Sequence, residues 1–429
     1  MAETQLPETT DAPETVAPEA IAPEAAAPEA RREGGRRRSR LRALIPLTAV
    51  LLLFAVPGWM LVGAPGWPPA GVAVGTALFA AGLVGMPLLM FRGHARADDL
   101  AARTGDTLLG VIWVLFTWSV AGGLVRAVLY AVLPAGADGT AVDRWVALGI
   151  VAVSAVLLAW GCYEAMRVPR IRRVEVPLHR LPRALDGLRL VVITDTHYGP
   201  IDRTRWSVGV AEAVNSLDAD VLCHAGDIAD GPVANRLSQS APLASMRAKH
   251  GKVFVTGNHE YYGDAPGWVE RLTELGWQPL HNSHLTIRPD AAGGAQEPAA
   301  VLVVAGVDDH TAADSGLPGH REDLDAALDG VDPGAPVVLL AHQPKQIANA
   351  ADRVDLQISG HTHGGQIWPF HLLVRIDQPV VAGLSSHGSD PAVRTRLYTS
   401  RGTGFWGPPF RVFAPSEITL LVLRAPAGD

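Results

Sequence analysis

The stretch Gly360-His361-Thr362-His363-Gly364-Gly365-Gln366 follows a short apolar run, residues 354–359, that is typical of a buried β-strand. Two imidazoles that are two residues apart face the same side of an extended chain. They lie about 6.5 to 7 Å from each other, so they can straddle a pair of metal ions about 3.5 to 4 Å apart. The flanking glycines allow backbone and ligand to approach closely. Two histidines near a turn are more often incidental than ligating, so further ligands are needed elsewhere in the chain.

Four further predicted strands also end in side chains that can bind a metal ion. These apolar runs cover residues 188–194, 220–224, 252–256 and 337–341. The polar side chains that follow them are Asp195, His197, Asp227, Asn258, His259 and His342. In open α/β sheets, ligands bind at the carboxyl ends of the strands. The sequence therefore predicts that five strand ends deliver oxygen and imidazole ligands to one site.

The spacing of these strand ends indicates the fold. About 30 residues separate Asp195 from Asp227 and Asp227 from Asn258, which matches one strand-helix repeat. Helix-compatible patterns occur at residues 203–216 and 265–276. Later strands are predicted at residues 285–288, 300–306, 397–400 and 417–423. We therefore predict an α/β fold for residues 167–429, a layered β-sandwich flanked by helices.

In order and type, the blocks D-x-H, G-D, G-N-H-E, H and G-H-x-H resemble the signature of the calcineurin-like metallophosphoesterases. All five blocks are present in order, and the resemblance covers roughly residue 180 to the C-terminus. Members of this family are dinuclear-metal phosphoester hydrolases, so the resemblance implies that activity and a pair of divalent metal ions. The mixture of carboxylate, amide and imidazole ligands suits Mn, Fe, Zn or Co better than Ca or Mg, and the sequence does not choose among these four metals.

The resemblance also implies a role for each residue. One metal would take Asp195, His197, Asp227 and His363, and the other would take Asp227, Asn258, His342 and His361. A metal-bridged hydroxide would then attack phosphorus in line. His259 would contact the phosphate or protonate the leaving oxygen, and support of its own loop is the alternative role. Four residues adjoin the ligands and could support them or contact substrate, namely Glu260, Tyr198, Asp230 and Gln366.

Composition separates the chain of 429 residues into two different parts. Before about residue 167, charge is confined mainly to loops between long apolar runs, whereas the rest has the mixed composition of a soluble domain. The formal net charge is -7 and the basic residues form no stripe across the soluble part, so no nucleic-acid partner is predicted. The two cysteines, Cys162 and Cys223, lie in apolar segments, which argues against a disulfide framework.

The first 41 residues are predicted to form a disordered tail. Ala-Pro-Glu recurs at residues 12, 17, 22 and 27, and such an acidic segment cannot bury enough apolar surface to fold. Arginines then crowd residues 31–42 ahead of an apolar run, which favours a cytoplasmic flank of a membrane anchor over a nucleic-acid arm. Residues 37–41 also fit a twin-arginine export signal, but three further apolar spans argue against a simple exported enzyme.

Residues 42–166 are predicted to contain four transmembrane helices. The apolar segments cover residues 43–63, 70–91, 107–133 and 145–166, each near the roughly 20 residues that a helix needs to span lipid. Arg126 interrupts the third segment. It could snorkel, mark an early helix end or serve as a functional charge inside the bundle.

The distribution of arginine between the apolar segments predicts the orientation. The link between the first two segments is uncharged. Arginines lie instead between the second and third segments and after the fourth, at Arg92, Arg96, Arg103, Arg167, Arg170, Arg172 and Arg173. Because positive residues stay on the cytoplasmic side, both termini and the catalytic domain should be cytoplasmic.

Together these features predict a multi-pass protein of the cell membrane that hydrolyses a phosphodiester or a lipid-linked phosphate. The basic residues 167–173 would attract anionic headgroups, which favours a substrate at the membrane. One alternative is a catalytically silent sensor or scaffold on the same fold, which the complete ligand set argues against. A transporter with a soluble appendage is the other, and the few ionisable residues in the spans give it little support. The oligomeric state stays open.

Overall fold

The structure is a computed structural model that describes residues 45–134, 137–288, 300–390 and 394–426. The predicted disordered tail, residues 1–41, lies outside the described residues. The chain divides into two compact units, Met1–Leu51 and Leu52–Asp429. In the first unit, the described residues 45–51 are helical.

Among the described residues, four helices are long and apolar enough to cross a membrane, which confirms the prediction of four long apolar helices. They are α1 (Ile45–Gly63), α2 (Pro69–Arg96), α3 (Asp99–Val132) and α4 (Gly139–Met166).

The second and third apolar segments, residues 70–91 and 107–133, were predicted to be joined by a link that carries arginines. The structure shows that most of this link is helical, because α2 and α3 extend through it. Only residues 97–98 separate the two helices, so Arg92, Arg96 and Arg103 lie within helix ends. Ala97 ends α2 with a left-handed backbone, φ 52°. The Asp98 carboxylate then caps α3 by accepting a hydrogen bond from the Ala101 N–H at 3.1 Å.

An ion pair joins α3 and α4 inside the apolar region. Arg126 Nε lies 2.6 Å from Asp143 Oδ1, and the Tyr130 hydroxyl donates to the same oxygen at 3.0 Å. Asp143 lies in the first turns of α4, ahead of the apolar segment that was predicted to begin at residue 145. A charge at membrane depth is costly unless it is paired, so this contact gives Arg126 a structural partner.

The C-terminal part consists of twelve strands and seven helices among the described residues. The strands are β1 (Arg170–Pro177), β2 (Arg189–Ile193), β3 (Val221–His224), β4 (Lys252–Phe254), β5 (Gln278–Pro279), β6 (Ser283–Ile287), β7 (Leu302–Gly306), β8 (Val337–Leu340), β9 (Leu356–Ser359), β10 (Gly383–His387), β11 (Thr395–Thr399) and β12 (Glu417–Arg424). The helices are α5 (Thr204–Asn215), α6 (Leu237–Ser240), α7 (Asn258–Tyr262), α8 (Ala265–Glu274), α9 (Leu324–Leu328), α10 (Ile347–Ala350) and α11 (His371–Asp377).

These strands form two six-stranded sheets within the described residues. The first has the order β1-β12-β2-β3-β4-β5, and the second has the order β10-β11-β9-β8-β7-β6. Along β2, Leu190 and Val192 face the core between the sheets, whereas Val191 and Ile193 pack under α5. This alternation follows from the two-residue period of a strand. Helices α5 and α8 cover the first sheet, and α9 and α10 cover the second. The predicted layered α/β sandwich is confirmed.

The basic residues that follow α4 belong largely to β1, an element that the sequence analysis did not predict. β1 pairs in parallel with β12. Arg170 donates to Glu164 at 2.8 Å, and Arg172 lies 3.5 Å from Glu417. Two of the arginines that were expected to attract anionic headgroups, Arg170 and Arg172, are therefore paired with glutamates.

Candidate metal centre

The structure brings together the residues that the sequence placed at five strand ends. They are Asp195 and His197 after β2, Asp227 after β3, Asn258 and His259 after β4, His342 after β8, and His361 and His363 after β9. Main-chain hydrogen bonds tie the ends to one another. The Asp195 N–H donates to the Gly226 carbonyl at 2.9 Å, and the Gly360 N–H donates to the His342 carbonyl at 3.0 Å. All eight side chains are buried or half-buried.

A first group of donor atoms comes from Asp195, His197 and His363. One donor atom of each residue lies within 4.8 Å of those of the other two. The Nε2 atoms of His197 and His363 are 3.1 Å apart, and His363 Nε2 is 3.4 Å from Asp195 Oδ1. Three donors that converge in this way can hold one cation.

A second group comes from Asp227, His342 and His361. One donor atom of each of these residues also lies within 4.8 Å of those of the other two. His342 Nε2 lies 3.1 Å from Asp227 Oδ2. The Asn258 amide joins the group, because its Oδ1 lies 2.9 Å from His361 Nδ1. This group combines a carboxylate oxygen, an amide oxygen and two ring nitrogens.

Asp227 connects the two groups. Its Oδ2 atom lies 3.1 Å from His342 Nε2 in the second group and 3.5 Å from His197 Nε2 in the first. Its Oδ1 atom accepts a hydrogen bond from the His259 N–H at 2.9 Å, which fixes the carboxylate plane. A single carboxylate is therefore held between two sets of imidazoles.

The backbone at the site adopts conformations that most residues avoid. Five of the eight residues have positive φ angles: Asp195 at 52°, His197 at 40°, Asp227 at 53°, His361 at 68° and His363 at 50°. Such conformations cost free energy, and they concentrate at functional sites where the surrounding structure enforces them. Position 226 requires glycine for two reasons. Its φ angle is 96°, and a Cβ atom there would collide with His342 Nδ1 and with the Gly257 main chain.

The hydrogen bonds of two imidazoles determine which ring nitrogen faces the centre. His342 Nδ1 lies 2.8 Å from the Ala225 carbonyl, to which it donates. His197 Nδ1 likewise lies 3.0 Å from Asp230 Oδ1. With Nδ1 as the donor, a ring that carries no second proton presents the electron pair of Nε2 to the Asp227 carboxylate. Partners of this kind behind an imidazole orient it for metal binding.

Two buried polar atoms of the site lack a hydrogen-bond partner. They are His342 Nε2 and Asp195 Oδ2. Unpartnered buried donors and acceptors are rare in native proteins, and each requires an explanation such as a bound ion. Together with the convergent oxygen and nitrogen atoms, these two atoms show that the residues present fit divalent cations. The donor set has the intermediate hardness of a transition-metal site.

Burial and neighbouring charges shift the pKa values of the site. Burial lowers the pKa of His361 to about 3, and the charge of His342 acts in the same direction. The pKa of His342 is raised well above its ordinary value, because Asp227 and Asp195 outweigh the effect of burial. For Asp227, His342 and His259 outweigh burial and hold the pKa well below its usual range. A proton and a divalent cation would thus compete for the same electron pair of His342.

His259 lies beside the two groups without belonging to either set of proposed ligands. Its Nδ1 atom is 2.7 Å from Asp230 Oδ1, and its ring meets the His197 ring edge-on with centroids 4.6 Å apart. Burial disfavours its charged form, but Asp227 and Asp230 raise the pKa of His259 to about 9. One carboxylate, Asp230, therefore orients both His197 and His259.

The residues predicted to adjoin the ligands have different roles in the structure. The Glu260 carboxylate accepts hydrogen bonds from the backbone N–H groups of Gly257, Asp227 and Ile228 at 2.7 to 3.0 Å. It therefore fixes the loop that carries the central carboxylate. Gln366 Nε2 donates to the carbonyls of Trp406 and Pro408, and the Tyr198 hydroxyl contacts Ser207. These two residues hold loops and strands in place.

Two buried arginines support the site, although no motif marked them for this role. Arg411 donates to the carbonyls of Arg401, Gly404 and Ala414, and burial lowers its pKa to about 9. Arg203 donates to the carbonyls of Thr196 and His197 at 2.5 and 2.6 Å. Both stabilise irregular loops by binding main-chain oxygens, a role that leaves no spacing signal in the sequence.

A cavity of about 360 Å³ opens beside the centre. Its polar end is formed by site residues, which are Asp227, Asn258, His259, His361 and His363. The remaining wall is largely apolar and includes Leu109 and Trp113 from α3, Phe370 just before α11, and Val374 within α11. The cavity therefore connects the candidate metal centre with α3, one of the helices that could span a membrane.

Comparisons with known proteins agree with this geometry. The model of the calcineurin-like phosphoesterase family matches residues 188–365, the part of the chain that carries all five motif blocks. An uncharacterized metallophosphoesterase of Campylobacter jejuni is 31% identical over 280 residues, which cover 65% of this chain and 69% of that protein. The chain belongs to the calcineurin-like metallophosphoesterases. Members of this family bind divalent metals, in accord with the clustered histidines and aspartates.

The name of a second relative describes a transmembrane protein. A transmembrane protein with metallophosphoesterase domain from Danio rerio is 38% identical over 280 residues, which cover 63% of this chain. The match spans 61% of the length of that relative. The solved 5'-nucleotidase precursor from Thermus thermophilus superposes with a TM-score of 0.34 at 16% identity, over 51% of this chain and 49% of that one. So low a structural score adds nothing to the family assignment.

Asp230 offers a test of how the imidazoles are held. The substitution Asp230→Asn removes the negative charge that His197 and His259 face. We expect the affinity for Mn²⁺ to fall about tenfold or more, the usual cost of losing a carboxylate behind a metal-binding imidazole. Isothermal titration of the full-length protein measures this affinity. Asp202→Asn, an exposed carboxylate that caps the turn before α5, makes the same charge change and should bind as the parent does. Equal affinities for the two variants would contradict the role of Asp230.

Proposed function

We propose that this chain is a membrane-anchored phosphoester hydrolase with a dinuclear centre of Mn, Fe, Zn or Co. The observation that carries the proposal is the position of Asp227 Oδ2, which lies within 3.5 Å of imidazole nitrogens from two separate groups. A carboxylate that both groups share would offset the repulsion between two cations and let them lie close together. The substrate would be a phosphodiester or a lipid-linked phosphate.

The proposed ligand sets follow the two groups. Asp195, His197, Asp227 and His363 would hold one cation, and Asp227, Asn258, His342 and His361 would hold the other. When bound, two such cations activate water as a nucleophile near neutral pH and offset the charge of the phosphoryl oxygens. The chain keeps the donors in place through Glu260, which binds the loop of Asp227, and through Asp230, which binds His197.

His259 is proposed to act on the substrate. It lines the cavity at the polar end, and the 2.7 Å contact with Asp230 fixes its ring. From this position it can bind a phosphate oxygen or donate a proton to the leaving oxygen. A catalytically silent sensor or scaffold is the alternative function, and metal binding without hydrolysis would indicate it.

The proposed membrane orientation follows from contacts between the helices and the sandwich. Arg236 pairs with Asp99 at the start of α3 at 2.7 Å, and the Arg411 N–H donates to the Gly161 carbonyl near the end of α4 at 2.8 Å. The sandwich thus contacts the helix ends that carry the arginines. By the positive-inside rule, these ends and the catalytic domain would lie in the cytoplasm of a cell-membrane protein.

Hydrolysis and metal content together test the function. Full-length protein loaded with Mn²⁺ should contain two ions per chain by elemental analysis and should hydrolyse bis-p-nitrophenyl phosphate. Asp227→Ala should lose most of the metal and reduce turnover to background, because both groups lose their shared oxygen. The matched control is Asp202→Ala, which should keep both properties. Full metal content without turnover of mono- or diesters in the parent protein would contradict the hydrolase and favour the scaffold.

A second substitution tests His259. We expect His259→Asn to lower kcat by about 10²-fold or more with full metal content, since a lost proton donor has that effect. The loss should be larger for a phenyl ester than for a p-nitrophenyl ester, because the poorer leaving group depends more on protonation. His310→Asn, a half-exposed histidine paired with Glu322, is the control. An unchanged rate with the phenyl ester would exclude this role.

Topology has its own test in reporter fusions to the full-length protein. A fluorescent protein that matures only in the cytoplasm should fluoresce when fused to the C-terminus, and alkaline phosphatase should be inactive there. A fusion in the link between α3 and α4 should give the opposite pair of results. Alkaline phosphatase activity at the C-terminus would reverse the proposed orientation.

A further inference from the structure

We propose that the cavity beside the metal centre binds the hydrocarbon chain of a membrane lipid, so that the substrate is a phosphate ester with a long chain. This inference rests on the proposed hydrolase function and narrows its substrate class. Its basis is the composition of the cavity, its depth relative to the membrane and the exposed apolar surface beside it.

The cavity has two chemically different ends. The metal-centre residues form one end, and the rest of the wall is largely apolar, with side chains of Leu109, Trp113, Phe370 and Val374. Asp377 and Gln378, at the end of α11, also line the cavity. Its volume of about 360 Å³ falls within the range of about 300 to 1,000 Å³ that is typical of small-ligand sites. A ligand with a phosphate at one end and a hydrocarbon chain at the other matches this division. A compact polar phosphoester would leave the apolar wall in contact with water.

The length of α3 places the cavity at the membrane surface. α3 has 34 residues, so it is about 50 Å long. A membrane span needs about 20 residues, and counting back from Val132 puts the edge of the hydrocarbon region close to Trp113. Residues 99–112 then project beyond that edge towards the sandwich. The cavity wall at Leu109 and Trp113 therefore lies at the level of lipid headgroups.

Helix α11 exposes apolar side chains at the same level. Leu372, Leu373 and Ile376 are 55%, 48% and 81% exposed. Large adjoining apolar side chains at a surface indicate a membrane or partner contact. Here the surface continues directly into a membrane-helix candidate, because the Phe370 ring meets the Trp113 ring of α3 edge-on at 5.5 Å between centroids. This continuity with α3 identifies the lipid bilayer as the occupant of the exposed face.

A second aromatic contact extends this surface along α3. The Trp368 and Trp118 rings lie 6.2 Å apart, and Phe413 packs on Trp368 with centroids 6.5 Å apart. Tryptophan is favoured where a membrane meets water. A lipid that leaves the bilayer beside α11 would therefore pass these aromatic side chains before its phosphate reaches Asp227 and His259.

The reaction of such a lipid is a simple hydrolysis. The oxygen of water forms a bond to phosphorus, the ester P–O bond breaks, and the leaving oxygen takes up a proton. The lipid could be a monoester or a diester, since both present a phosphate at the end of a hydrocarbon chain. Phosphatidic acid and phosphatidylglycerol are therefore separate arms of the test.

The test compares long-chain and short-chain esters in the same mixed micelles with full-length, Mn²⁺-loaded protein. For at least one headgroup, we expect kcat/KM to be at least tenfold higher for the dioleoyl than for the dihexanoyl ester. Leu109→Trp should fill the apolar end and lower this ratio about tenfold, the effect of losing roughly two buried methylene groups. Val374→Trp, which changes another lining residue, gives a second measurement if Leu109→Trp does not fold.

The matched control is Leu124→Trp, a change of the same size at a 68% exposed position farther along α3. It should leave the ratio within twofold of the parent value. Equal kcat/KM values for long and short chains, or an equal loss for both in Leu109→Trp, would overturn the inference but not the hydrolase. Faster turnover of a soluble phosphopeptide or nucleotide ester would assign the cavity to another occupant. Failure to hydrolyse any ester would instead contradict the proposed function itself.

Discussion

The structure of the site depends on one buried carboxylate. Asp227 Oδ2 faces Nε2 atoms of His342 and His197, whose other ring nitrogens are occupied by Ala225 and Asp230. Electron pairs directed at a carboxylate repel it unless a proton or a cation lies between them. The surrounding chain enforces this arrangement with left-handed backbone at five site residues and with buried groups, such as Glu260, that bind the loops. The cost of this geometry is explained if cations occupy the centre.

The long apolar helices also contribute to the site. α3 begins beside the sandwich, where Asp99 pairs with Arg236, and its next turns supply Leu109 and Trp113 to the cavity. Chemistry and membrane contact are thus parts of one compact unit. In the basic segment that first suggested a membrane substrate, Arg170 and Arg172 are paired with glutamates. The apolar cavity and the exposed face of α11 provide a second, independent argument for such a substrate.

Sequence patterns predicted the elements whose signal is local. Buried strands such as β2 and β8 are short apolar runs, and the motif blocks at their ends stand out by residue type and spacing. β1 and β10 were missed because they are partly exposed and carry arginines, glycine or serines. The Arg126–Asp143 pair and the contacts of Arg411 join residues from different elements, so only the folded chain reveals them. α11 has seven residues, too few for a periodic pattern to identify it.

Anomalous X-ray diffraction from crystals of the Mn²⁺-loaded, full-length protein would locate the cations. We expect two anomalous peaks about 3.5 to 4 Å apart on either side of Asp227, the spacing of hydrolytic two-metal sites. One peak should lie against Asp195 and His363, and the other against His342 and His361. A single peak, or two peaks too far apart for one carboxylate to touch both, would contradict a dinuclear centre.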